Sequence, residues 1–331
     1  MASIKDVAKR AGVGIGTVSR VLNGEKGVSA ETRDTVLDAI RALDYRRNSL
    51  AVSFRKNENK IAALLVPVID HPFFSKLAYY IEDELDKNGY SLLISSSQNR
   101  QSKEYAMIEK LKKKDVDGII FVTHYDYKDE ELSKYPVVSI DRHFDNVPFV
   151  TSDNFDSSVR ACEWLVAAGC KKIAYLGGKT LVESEVMERA RAYRETMKKH
   201  GLPEIVQCEV VKHGGERPLV EALFAEHPDL DGVFVSGDTM TNLIFRHCEE
   251  CGIPIPQRLK VASYDGVQVK TGEMKDKIAY VEQPVEQLGR ETARALLKKI
   301  RGEEVPLKTV LPAKFVQYDV KSVSLSERSA K

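Results

Sequence analysis

From Lys60 onward, short continuous apolar runs alternate with longer stretches whose apolar positions recur at helical spacing. Ile61–Val68 is the first such run. It reads as a strand buried on both faces, because a strand with one wet face alternates apolar and polar residues. Helices over Ser75–Asn88 and Lys103–Lys113 then alternate with strands Ser91–Ser95 and Gly118–Val122, and strand Val137–Ile140 follows. The pattern resumes with helix Ser157–Ala168, strand Ile173–Leu176, helix Glu183–His200, strand Ile205–Lys212 and helix Pro218–Glu226. Strand Gly232–Val235, helix Met240–Cys251, strands Lys260–Ser263 and Ile278–Val281, and helix Glu286–Arg301 complete it. Repeated β-α units predict largely parallel sheets covered by helices on both faces. A stretch of about 270 residues has room for two such lobes. Ligands of these sheets bind beyond the carboxyl ends of the strands, so a cleft between lobes is the expected site.

The first segment follows a different pattern. Ser3 with Asp6 three residues on forms a capping box ahead of a helix over Ile4–Ala11. Gly12 supplies a tight turn, a second helix spans Ile15–Leu22, and Asn23-Gly24 ends it. Ser29 caps a third helix, Ala30–Leu43, whose Val36, Leu37, Ile40 and Leu43 recur at helical spacing. Two short helices about a glycine turn make a helix-turn-helix. Ala8 is small enough for close helix packing, and Val7, Val13, Val18 and Val21 form a core beneath both helices. Thr17, Ser19 and Arg20 stay polar on the outer face of the second helix, where contacts to the major groove of double-stranded DNA belong. A plain amphipathic helical hairpin shares this pattern, so the pattern alone leaves both readings open. Residues Arg46–Asn59 are polar and basic around Leu50, Ala51, Val52 and Phe54, which is linker composition with room for one short helix. The resulting organisation is a headpiece over residues 1–46, a hinge or linker over 47–59, and a two-lobed domain over 60–331.

Charge sharpens this picture. The net charge of +1 hides an uneven distribution, since residues 1–60 carry twelve Lys and Arg against seven Asp and Glu, and the remainder 38 against 42. A basic head on an acidic body suits a head that meets a polyanion. The chain is 43% hydrophobic and 30% charged, a globular composition rather than a disordered or fibrous one. There is no apolar run of membrane-spanning length, so no membrane partner is expected. The N-terminus MASIKDVAKRAG lacks an apolar signal core and the five cysteines are odd in number, both of which suit the cytoplasm.

The stretches IKDVAKRAGVGIGTVSRVLNG and VSAETRDTVLDAIRALDYRRNSLA resemble the N-terminus of the lac-repressor-type (LacI/GalR) family of bacterial sugar-responsive regulators. The likeness continues in family order through VPVIDHPFF, SIDR, ERARAYRETM, SYDG and VEQPVEQLG, and so covers nearly the whole chain. The resemblance implies a small all-α helix-turn-helix headpiece, a hinge helix, and an α/β two-lobed, periplasmic-binding-protein-like core with parallel sheets that dimerises. It implies a ligand-gated regulator, in most members a repressor, that binds a pseudo-palindromic operator and senses a sugar or sugar phosphate. In one family variant a phosphorylated carrier protein is the corepressor instead. SDNF, SYDG and VEQP look most like sucrose- and ribose-type members. The polar tail Ser322–Lys331 carries no leucine heptads, so a homodimer is expected rather than a tetramer.

Carried over position by position, the resemblance places DNA contacts at Ile15, Gly16, Thr17, Ser19, Arg20 and Asn23, with Asn48 and Phe54 in the hinge. Several positions depart from the family pattern. Gly14 stands where Ser usually caps the recognition helix, Gly16 offers no side chain to a base, and Arg47 takes the usual place of Pro. Phe54 replaces the usual Leu wedge, and Phe also inserts between base steps. In the core, Asp141, Arg189, Asp238 and Asp265 match ligand-holding positions, and Phe73 and Phe74 match an aromatic wall. Gln283-Pro284 matches a crossover between lobes, and Gly237 replaces a common Asn. His124, just past the strand Gly118–Val122, is a further candidate contact.

Other motifs lack their context. Gly12-Val13-Gly14-Ile15-Gly16 follows no buried strand, as a dinucleotide loop requires. Cys248-x-x-Cys251 beside His247 has no second pair at zinc spacing, so helix cysteines are the simpler reading. Gly177-Gly178 and Gly214-Gly215 read as turns. With no HExxH, P-loop or GxSxG motif, the sequence predicts no enzyme, no cofactor and no metal.

Overall fold

The Ser3 hydroxyl accepts from the Asp6 amide at 3.4 Å, and the Asp6 carboxylate accepts from Ser3 N at 2.8 Å. This reciprocal capping box opens α1 (Ile4–Ala11). Helix α1 ends at Gly12, where φ is +66°, a region that disfavours any residue with a Cβ. Helices α2 (Ile15–Leu22) and α3 (Ala30–Ala42) follow, the latter capped by Ser29 Oγ accepting from Thr32 N at 3.2 Å. The three helices close over a core of Val7, Ala8, Val18, Val21, Val36 and Ala39, with Val13 half-buried at its margin.

The computed structural model describes residues 2–45, 58–98, 100–123, 125, 127, 132–178, 183–209, 214–269, 274 and 276–318. The chain divides into two compact units at Asn59/Lys60. In the second unit, β1 (Ile61–Val66), α4 (Pro72–Asp86), β2 (Ser91–Ser96), α5 (Gln101–Lys112), β3 (Gly118–Phe121), β4 (Val137–Ile140) and β5 (Phe149–Ser152) begin the first lobe. The second lobe runs through α6 (Asn154–Ala167), β6 (Ile173–Gly178), α7 (Met187–His200), β7 (Ile205–Glu209), α8 (Arg217–Glu226), β8 (Gly232–Val235), α9 (Asp238–Glu250), β9 (Lys260–Ser263) and β10 (Ala279–Glu282). Helix α10 (Val285–Ile300) and β11 (Lys308–Leu311) return to the first lobe, and β12 (Lys314–Val316) ends in the second.

The first sheet has the order β11-β5-β4-β3-β1-β2 and is parallel throughout. The second has the order β12-β10-β9-β8-β6-β7 and is parallel except for β12 against β10. Ala62–Val66 of β1 are fully buried, as the unbroken apolar run predicts. Three strands escape that logic. β5 ends in the polar pair Thr151 and Ser152, and β11 and β12 are edge strands without a continuous apolar run.

Helix α4 begins three residues ahead of expectation, because His71 Nδ1 accepts from Phe73 N at 3.3 Å and Pro72 occupies the first turn. Helix α7 begins four residues late, at Met187, and Glu183–Glu185 take another role. Gly177-Gly178 is not a turn but the end of β6, where a Cβ at Gly177 would meet Ser236 Oγ at 2.8 Å and the Tyr175 ring.

The chain passes between the sheets three times, after β5, after β10 and between β11 and β12. These crossovers are cross-linked. Asp153 Oδ1 accepts from Ala313 N at 2.7 Å, Asp153 N donates to Leu311 O at 3.0 Å, and Ser152 Oγ donates to Gln283 Oε1 at 3.1 Å.

Candidate functional site

In the headpiece, Val18 and Val21 turn inward from α2. Ile15, Gly16, Arg20 and Asn23 are therefore exposed, with Thr17 and Ser19 half-buried beside them. Asn23 Nδ2 donates to Glu25 Oε1 at 3.0 Å. Gly14 caps α2 without any side-chain bond; its carbonyl accepts from Thr17 N at 2.9 Å and Val18 N at 3.2 Å, which leaves the Ile15 and Gly16 amides without a bond among the described residues. Asn48 and Phe54 lie outside the described residues, as does His124.

In the second unit, a cavity of about 200 Å³ opens between the lobes at the carboxyl ends of both sheets. Phe73 and Phe74 from the first turn of α4, Asp141 past β4, Asp265 past β9, Gln283 past β10 and Arg189 on α7 all line it. Phe73 also belongs to the first-lobe core, while Phe74 is half-buried beside it with ring centres 5.5 Å apart. Asp141 and Asp265 both sit at positive φ, +59° and +88°. Non-glycine residues pay strain in that region, and such strain gathers at ligand sites. Thr151 Oγ1 donates to Asp141 Oδ1 at 2.6 Å, and Gln283 Nε2 donates to Asp265 Oδ1 at 2.6 Å. Each carboxylate is thus held by one oxygen, and no hydrogen bond from a described residue reaches the other.

Two buried arginines stand among these carboxylates. Arg189 Nε donates to Asn154 Oδ1 at 2.7 Å and Nη1 to Ser236 O at 2.6 Å, 3.6 Å from Asp265 Oδ1. Its guanidinium lies 3.6 Å above the centre of the Tyr264 ring. Arg142 Nε donates to Thr123 O at 2.6 Å and Nη1 to Ser184 Oγ at 2.7 Å. Burial pulls its pKa down to about 10, against the charge of adjacent Asp141. Sequence reasoning singled out neither Arg142 nor Asn154, although both lie inside motifs that it quoted, SIDR and SDNF. Tyr264 likewise lies inside the quoted SYDG, whereas Ser184 and Ser236 carried no signal of their own.

Asp238 departs from expectation. Its carboxylate accepts from the amides of Gly266, Val267 and Gln268 at 3.2, 2.6 and 2.7 Å. It clamps the loop that carries Asp265 and does not line the cavity. Burial, aided by the charge of Asp265, pushes its pKa up. A Cβ on Gly237 would stand 3.1 Å from Asp265 Oδ2, so the missing side chain leaves that oxygen uncrowded. Cys248 is buried, and exposed Cys251 lies 3.7 Å from His247 Nε2. No group of three metal-ligating side chains occurs among the described residues.

A DNA-reading helix-turn-helix joined to a two-lobed α/β domain with a polar interlobe cavity defines a ligand-responsive transcriptional regulator. Residues 3–48 match the model for bacterial regulatory proteins of the lacI family, and residues 59–319 match that for periplasmic binding proteins and the sugar binding domain of the LacI family. The chain belongs to the LacI family. It is 34% identical to the ribose operon repressor of Halalkalibacterium halodurans, over 96% of both chains. It is 31% identical to the sucrose operon repressor of Streptococcus mutans, over 94% of this chain and 97% of that one. Its fold matches the lac repressor dimer bound to operator and the anti-inducer ONPF with a TM-score of 0.81, covering 96% and 98% of the two chains at 22% identity. Among the described residues, no helix is long and apolar enough to cross a membrane.

Proposed function

We propose that this chain represses transcription in the cytoplasm as a homodimer on a pseudo-palindromic operator, and that a small uncharged sugar in the interlobe cavity sets its affinity for DNA. The observation that carries the ligand reading is the wall of the cavity. Asp141 and Asp265 offer acceptors to hydroxyls, Arg142 and Arg189 offer donors from fixed forks, and each guanidinium has a carboxylate beside it. A phosphate ester would bring two more negative charges to a wall whose carboxylates, Asp141, Asp265 and Glu216, already outnumber the guanidiniums of Arg142 and Arg189. The cavity of about 200 Å³ falls below the range typical of larger ligands, which favours a monosaccharide. The ribose and sucrose regulators among the relatives point to the same class of ligand.

On the DNA side, Thr17, Ser19 and Arg20 supply the polar contacts of α2. Ile15 packs against a thymine methyl, and bare Gly16 reads nothing directly. Asn48 and Phe54 complete the interface in the hinge, with Phe54 as a wedge at the central base step.

A thermal-shift panel tests the ligand. D-ribose or another free monosaccharide at a hundred times its dissociation constant should add about 2.7 kcal/mol of stability. The corresponding phosphate ester should not. A response confined to phosphate esters overturns the uncharged-ligand reading, and no response to any sugar overturns the sugar reading altogether.

A further inference from the structure

The three crossovers join the lobes covalently, yet the lobes also meet through a segment that is not a crossover. Glu183–Glu185 lies between β6 and α7 of the second lobe. It pairs antiparallel with Asp141–His143, past β4 of the first lobe, in a single bridge centred on Arg142 and Ser184. His143 N donates to Glu183 O at 3.1 Å, and Glu185 N donates to Asp141 O at 2.9 Å. Ser139 Oγ donates to Arg142 O at 2.6 Å and fixes the first-lobe side of the bridge.

Side chains reinforce this strap. Glu185 Oε1 is 2.8 Å from His143 Nε2 and accepts from Lys308 Nζ at 2.6 Å, so one second-lobe carboxylate ties two first-lobe groups. His143 in turn lies against the Phe149 ring, with centres 4.5 Å apart. The side chain of Glu185 is 11% exposed, whereas that of Glu183, 3.3 Å from His143 Nδ1, is 81% exposed. The exposed pair contributes little and the sheltered one more. Asp141 and Arg142 on one side of the bridge, and Val186 beside the other, line the cavity.

We propose that Glu183–Glu185 is a latch that holds the lobes closed over the cavity, with Glu185 as its positioning residue between His143 and Lys308, so that ligand entry and release wait on its opening. That the cavity takes the ligand rests on the function proposed above. Lobes carried on crossovers hinge as rigid bodies, and a bridge of two backbone hydrogen bonds is short enough to part without unfolding either lobe.

The test uses the full chain with Glu185→Gln, His143→Ala and the double variant. Lys308→Met approaches the same carboxylate from the first-lobe edge, in case one variant folds poorly. Without ligand, amide hydrogen exchange at His143 and Glu185 should rise about tenfold in each single variant, the scale of one charge-assisted hydrogen bond. Exchange within β1 and β8 should not change. With D-ribose as the probe in stopped-flow fluorescence, association and dissociation should both quicken, dissociation by about the same tenfold. Unprotected amides at 143 and 185 in the parent protein, or exchange untouched by any variant, overturn the latch. So does D-ribose that binds with unaltered rates. If the exchange response appears but no sugar binds, the latch stands as a contact between lobes and the ligand reading falls.

Discussion

Asp265 shows how one side chain links fold and function. It sits at φ +88°, is gripped through Oδ1 by Gln283 from a crossover, and stands 3.6 Å from Arg189. Asp265→Asn keeps its shape and removes its charge. Ligand affinity should fall about ten- to a hundredfold, the range for hydrogen bonds to charged groups. Isothermal titration against the sugar found in the panel measures this, and an unchanged affinity removes Asp265 from the site. Arg189 is a poorer probe, because it also holds Asn154 and Ser236 together. Arg20 is a cleaner one. It is exposed on α2, so Arg20→Ala should cost about 1–3 kcal/mol at one base position per half-site and relax the choice there. A base-substitution panel in which every position weakens equally would make Arg20 a phosphate contact. Glu104 makes the opposite kind of statement. It is fully buried, the Thr123 and Tyr127 hydroxyls donate to its Oε2, and its Oε1 has no hydrogen-bond partner among the described residues. Burial raises its pKa, so the folded protein holds this proton more tightly than the unfolded chain does. The resulting stability is full below the ordinary carboxylate range and is lost as pH climbs through the raised value. Urea unfolding of Glu104→Gln beside the parent, from pH 5 to 8, should show the difference moving in favour of the variant as pH rises. Parallel curves would mean that Glu104 is ionised without cost.

Among the elements, those with a local cause were legible in the sequence. Ser3, Gly12 and Ser29 delimit the headpiece helices because a cap or a positive φ depends on one residue and its near neighbours. β1 was legible because burial on both faces leaves an unbroken apolar run. Elements whose partners are remote were not. β5 ends in Thr151 and Ser152, polar residues buried because their hydroxyls reach Asp141 and Gln283. Glu183–Glu185 reads as the start of a helix, and no local signal shows that its amide and carbonyl groups pair with the other lobe. The candidate site divides the same way. Asp141, Arg189 and Asp265 stand in recognisable motifs, whereas the three amides that occupy Asp238 are contributed by a loop twenty-eight to thirty residues away. Gly14 offers a test at this scale. It caps α2 with extended backbone, no side-chain bond, and open space where a Cβ would stand. Gly14→Ser should add a cap worth a few tenths of a kcal/mol, or about twofold slower amide exchange at Val18 and Val21. Faster exchange would mean that the hydroxyl competes for the backbone instead.

For the molecule as a whole, assembly is the remaining question, because a pseudo-palindromic operator requires two recognition helices related by a two-fold axis. The first-lobe sheet ends at β2, whose outer edge has no strand beside it among the described residues. Bare edges of this kind are normally short, charged or covered. This one instead carries Leu93 at 40% and Ile94 at 42% exposure, and the adjoining helix α4 adds Tyr79 at 66%. Consecutive strand residues point to opposite faces, so Leu93 and Ile94 leave apolar surface on both sides of the edge. A second copy of the chain would cover it by an isologous contact, in which β2 and α4 meet their own counterparts. Sedimentation at micromolar concentration should therefore find a dimer. Ile94→Lys, which places a charge in the centre of that contact, should shift the protein to monomer. Operator affinity should then fall by about 10²–10⁴, because each headpiece binds its half-site without the effective concentration that the partner supplies. Sugar affinity should be unchanged, since the cavity lies within one chain. A parent that sediments as a tetramer overturns the homodimer. An Ile94→Lys variant that stays dimeric with full operator affinity overturns β2 as the contact and leaves the assembly to another face.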